Sequence, residues 1–166
     1  MDSLLTKLLG LLEEETGLYR SLLFLLQEEK RAVSASALED LTDAGKEKEN
    51  QILKIRILEE QRVRMIEGLA DRMGRSFRDL TLSRLIRTVD EPFATRLTDC
   101  RSNLISLVQS IRELNESNGA QIEHSLGLVR GSLALLNNII PSNPVYHRTG
   151  TLQGCGQSGR LLSGEV

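Results

Sequence analysis

Tryptophan is absent from the 166 residues, and the other aromatics amount to three Phe and two Tyr. Half-buried strands draw on aromatic and β-branched residues, so this shortage beside 31 Leu argues against a β fold and for an all-α one. Proline is equally scarce, at positions 92, 141 and 144 only. A proline inside a helix costs ~3 kcal/mol, so 1–91 and 93–140 are open to long helices. Two isolated cysteines, Cys100 and Cys155, make no disulfide scaffold. They and the two histidines, His124 and His147, give no pair at zinc-ligand spacing, and no glycine-rich phosphate loop is present, so no metal or cofactor is expected. Neither charge sign dominates: 21 basic against 23 acidic residues give a formal net charge of −2, which creates no field for nucleic acid or an anionic membrane. Long apolar runs are missing too. Leu22 to Leu26 is typical, well short of the ~18 residues of a membrane span, so no direct membrane insertion is expected. Asp2, Lys7 and Glu13-Glu14-Glu15 disqualify the Leu-rich start as a secretory signal. With unpaired thiols, this places the protein in the cytoplasm.

The leucines that are present repeat at helical spacing. Leu4, Leu11, Leu18 and Leu25 recur every seven residues, flanked by Leu5, Leu12, Tyr19 and Leu26, with Leu8 and Leu22 between them, and predict a helix over 3–32. Glu13 to Glu15 and Gln27 to Arg31 read as its solvated side. Val33 to Ser36 reads as a turn in which Ser36 and Glu39 cap the next helix reciprocally. That helix is expected over 37–73, with Leu38, Leu41, Ile52, Ile55, Ile66, Leu69 and Met73 inward and Gly74 as its stop. Thr81 can cap a short helix through Val89. Asp90-Glu91-Pro92 then opens the longest helix, 92–140, with acids at its positive end. Phe93, Leu97, Cys100, Leu104, Leu107, Ile111 and Leu114 keep a seven-residue repeat, and the next core position falls on Asn118. Beyond it Ile122, Leu126, Val129, Leu133, Leu136 and Ile140 resume the stripe displaced by four residues, a phase break at Asn115, Asn118 and Gly119 that predicts a change of supercoil. The whole reads as an elongated antiparallel bundle or coiled coil of three long helices and one short one, 1–140. A flexible tail, 141–166, carries five of the thirteen glycines.

Little of this pattern suits catalysis. Cys100 falls in the apolar stripe and reads as an inert buried thiol. The carboxylates alternate with lysine and arginine, as around Glu47 and Lys48, and read as solubilising. Arg62, Arg64, Arg72, Arg75 and Arg78 form a modest basic patch suited to an acidic protein partner. His124 lies off the apolar stripe, with Leu126 where a histidine phosphotransfer module has leucine. Gly127 stands where that module has lysine, so a phosphoryl group there lacks its counter-charge.

Several local signatures resemble the FlgN family of flagellar export chaperones: Gln61-Arg62 followed by Leu69-Ala70 and Met73-Gly74; Thr81-Leu82 with Leu85; Leu114-Asn115-x-x-Asn118-Gly119-x-x-Ile122-x-x-Ser125-Leu126; and Tyr146 with Gly150. The resemblance implies a cytoplasmic chaperone for the hook-filament junction proteins FlgK and FlgL. It further implies that the C-terminal helix region binds an amphipathic segment of the client and that the complex passes to the export gate protein FlhA. The stripe Ile122, Leu126, Val129, Leu133, Leu136 and Ile140 is then the expected client groove, and Tyr146 an expected gate contact. Cover of that stripe by the first helix or by a second copy, a homodimer, is the plainer reading. A generic coiled-coil adaptor of a type III export system and a phosphotransfer module using His124 are the alternative functions.

Overall fold

The structure, a computed structural model, describes residues 2–74, 76 and 80–139. Four helices follow one another: α1 (Asp2–Ala35), α2 (Leu38–Arg72), α3 (Leu82–Ile86) and α4 (Phe93–Ile139). There is no strand among the described residues, so the class is all-α, three long helices and one short. The chain divides into two compact units, one through Gln121 and one from Ile122.

Within the first unit the core gathers Leu5, Leu8, Leu9 and Leu12 from α1 against Ile66, Leu69 and Ala70 near the end of α2. The start of one helix meets the end of the other, so the pair is antiparallel. Leu80, Leu85 of α3 and Leu97 of α4 join the same core, with Phe93, Cys100 and Leu104 packed against it. Farther along, Asn118 of α4 is buried and its Nδ2 donates to Leu26 O at 2.8 Å and to Glu29 Oε2 at 2.9 Å. The first part of α4 therefore runs parallel to α1.

The α1–α2 seam holds charges that the sequence reading placed in solvent. Glu15 and Glu29 fall seven residues after Leu8 and Leu22, on the same inward position, and both are buried. Their partners occupy the equivalent position of α2, where Lys48, Ile55, Arg62 and Leu69 recur every seven residues. Arg62 Nε lies 3.0 Å from Glu15 Oε2 as an ion pair without an aligned hydrogen bond, and Lys48 Nζ pairs with Glu29. The acids are fourteen positions apart on α1 and the bases fourteen apart on α2, so one antiparallel register satisfies both pairs. Arg62 is thus committed to the seam and does not belong to an open basic patch; Arg75 and Arg78 lie outside the described residues. Gln51, also buried, donates to Leu18 O at 3.1 Å.

Two further expectations change. Ser36 does not cap α2: Ala37 is its N-cap and makes no side-chain cap bond. Ser36 instead takes φ 55 and closes α1. Its N–H donates to Val33 O and the Ala37 N–H to Ala32 O, the paired bonds of a helix ending through a left-handed residue. In α2, Leu38 and Ile52 are exposed, while Leu58 is buried instead. Thr81 does cap α3, accepting from the Arg84 N–H, and Gly74, at φ 63, ends α2 as expected. α4 begins one residue after Pro92, with the Glu91 carboxylate accepting from the Thr95 N–H and hydroxyl.

Candidate functional site

Catalytic candidates can be judged from burial and protonation. Burial, reinforced by Glu13 and Asp99 against Arg96, pushes the half-buried Cys100 thiol up, away from the reactive thiolate. Burial also raises Tyr19, whose hydroxyl donates to Glu59 Oε1 at 2.8 Å. The carboxyl of Glu15 is raised by burial despite the opposing Arg62 charge. All three shifts follow from packing in the first unit. His124 is exposed on α4. No cluster of potential metal ligands occurs among the described residues.

The remaining candidate is apolar surface on α4. The helix runs without interruption through Asn115, Asn118 and Gly119. Asn118 is buried, whereas Asn115 and Gly119 are exposed. The interval of four from Leu114 to Asn118, Ile122 and Leu126 keeps successive residues on one side of an α-helix, which has 3.6 residues per turn. Ile122 is half-buried, and every residue over 123–139 is exposed. Among these, Leu126 (48%), Val129 (55%), Leu133 (55%) and Leu136 (52%) form the anticipated stripe. Ile140 and Tyr146 lie outside the described residues.

Leu128, Leu135 and Ile139, which the sequence reading passed over, are exposed as well. Their intervals of seven and four place them on a second stripe, about a third of a turn around the helix from the first. The signal was present in the same leucine spacing. Following a single heptad position selects only one of the two stripes. Between 123 and 139 the only charged side chains are Glu123 and Arg130, so roughly half of the helix circumference is apolar. An amphipathic helix with apolar anchors at three- and four-residue intervals can cover a surface of this kind.

No helix among the described residues is long and apolar enough to cross a membrane. No curated protein and no solved structure matches the chain. The family described as FlgN protein matches residues 1–154, nearly the whole length and including every helix above. The three long helices and the exposed apolar side chains of α4 are consistent with that match: the chain belongs to the FlgN family of flagellar type III export chaperones.

Proposed function

We propose that this protein is a cytoplasmic chaperone for the hook-filament junction proteins FlgK and FlgL and delivers them to the export gate protein FlhA. In this reading Ile122, Leu126, Val129, Leu133, Leu136 and Ile140 receive an amphipathic C-terminal helical segment of the client, and Tyr146 contacts the gate. The observation that carries it is the exposure of Leu126, Val129, Leu133 and Leu136 along one side of an uninterrupted helix. Large apolar side chains in water at this density are a binding surface or an aggregation hazard. A client helix removes them from solvent at about 25 cal/mol per Å² of apolar surface buried.

Leu133→Asp is the direct test. The residue is exposed, so helicity should stay close to that of the parent, while a carboxylate in the middle of the stripe must be desolvated when a client helix docks. Client co-purification is expected to be lost. Retained co-purification of FlgK or FlgL would remove the stripe as the client site.

A further inference from the structure

The first unit has a second unfilled feature, beside the part of α4 that precedes the stripe. A groove of about 720 Å³ lies between α1, α2 and α4. α1 and α2 pack closely along one another, but α4 approaches neither as closely, which leaves space beside it. On α4 the groove wall includes Arg101, Leu104, Ile105, Val108 and Arg112, at intervals that put all five on one helix face. Ile105, in the middle, is 51% exposed.

The charges around this apolar centre are unequally satisfied. Across the groove, Glu15 is paired with Arg62 and Glu59 accepts from Tyr19. On α4, Glu113 accepts from Gln109 Nε2 at 3.0 Å, whereas Arg101 and Arg112 have no partner among the described residues, and neither does Glu116, one turn beyond Arg112. The two arginines are eleven residues apart, which is three turns or about 16 Å along the helix. The uncommitted charge is therefore a cation on each side of an apolar patch, followed by an acid.

We infer that this groove seats one α-helix of a partner protein. The fitting helix is amphipathic: its apolar face covers Leu104, Ile105 and Val108, two acidic residues three turns apart meet Arg101 and Arg112, and a basic residue one turn farther meets Glu116. A second copy offers a similar pattern on α2, where Glu49 and Glu60 flank the exposed Leu53 and Ile57. Those residues lie on the side of α2 away from Glu59 and Arg62, which line the groove. Self-docking would therefore be head-to-tail and non-closing, and a different protein is the better occupant.

The test uses the full chain and two labelled leucine-alanine model helices. One carries Glu at the two flanking positions and Lys one turn beyond the second; the other has these charges inverted. By fluorescence anisotropy, the Glu-flanked helix is expected to bind the parent protein and to bind Arg101→Glu/Arg112→Glu about tenfold or more weakly, like charges then being juxtaposed. The inverted helix should show the opposite preference, and both preferences should fade with added salt. Both arginines are exposed, and the inverted helix tests the charge pattern without altering the protein. Leu133→Asp should leave this binding unchanged, so the groove and the client stripe can fail separately. Equal binding of the two helices to the parent, no binding of either, or loss of binding in Leu133→Asp would overturn the assignment. So would open-ended self-assembly of the free protein that the double substitution disperses.

Discussion

Glu15 shows how strongly position outweighs residue type in this chain. It is 2% exposed because the seven-residue period that buries Leu8 carries it inward. Burial raises its carboxyl above the usual 4.5, with Arg62 opposing. The folded protein therefore holds that proton more tightly than the unfolded chain does. Such a group contributes stability that is fully present below the unfolded value and is lost as pH rises through the folded one. In urea titrations from about pH 4 to about pH 7, the parent is expected to lose stability relative to Glu15→Gln as pH rises through this window, because glutamine has no proton to release. A constant difference between the two proteins across that range would show that Glu15 titrates as it does in the unfolded chain. The sequence reading assigned Glu15 and Glu29 to solvent because each lies in a charged run. The information that they are inward lay in their interval from Leu8 and Leu22, which composition does not register.

At the scale of elements, the paired charges define how α1 and α2 align. Shifting the hairpin by one heptad would set Glu15 opposite Ile55 instead of Arg62 and leave a buried carboxylate unpaired, a penalty far larger than the gain from any one leucine contact. Arg62→Met should accordingly cost about 3 kcal/mol near neutral pH, at the low end for breaking a buried pair because Arg62 is partly exposed. Glu15→Leu/Arg62→Met should recover most of that loss, since two apolar side chains satisfy the seam without a charge. Chemical denaturation of the single and double variants measures both steps; a double variant as unstable as Arg62→Met alone would mean that packing, not the orphaned charge, sets the cost. The helices themselves were legible from apolar spacing, and Gly74 and Thr81 from their end chemistry. Ser36 was not, because serine before Glu39 has the pattern of an N-terminal cap while the backbone places it in the left-handed region usually taken by glycine. Local pattern does not reveal which of two adjacent helix ends claims a residue.

At the scale of the whole molecule, folding and the proposed client binding draw on different parts of the chain. The buried leucines, the two seam ion pairs and Asn118 all lie before Ile122, whereas residues 123–139 contribute exposed side chains only. An isolated helix of this length is marginal in water, and Gly127 and Gly131 each lower its propensity by about 1 kcal/mol relative to alanine. A client helix lying along the stripe would therefore stabilise the segment that holds it, coupling client loading to helix order. The first leucine stripe and its phase relation to the upstream repeat could be read from spacing, but its exposure could not, because periodicity reports that a face is apolar and not whether anything covers it. Gate recognition in the proposed function falls on Tyr146, beyond both the bundle and the stripe in sequence. Tyr146→Ala is expected to weaken affinity for the cytoplasmic domain of FlhA by about tenfold, the loss of one large aromatic contact, while FlgK and FlgL still co-purify. Titration calorimetry against that domain, with the client complex as the titrant, separates the two functions: unchanged gate affinity would remove Tyr146 from recognition, and loss of client together with gate binding would show that the stripe and the tyrosine act as one site.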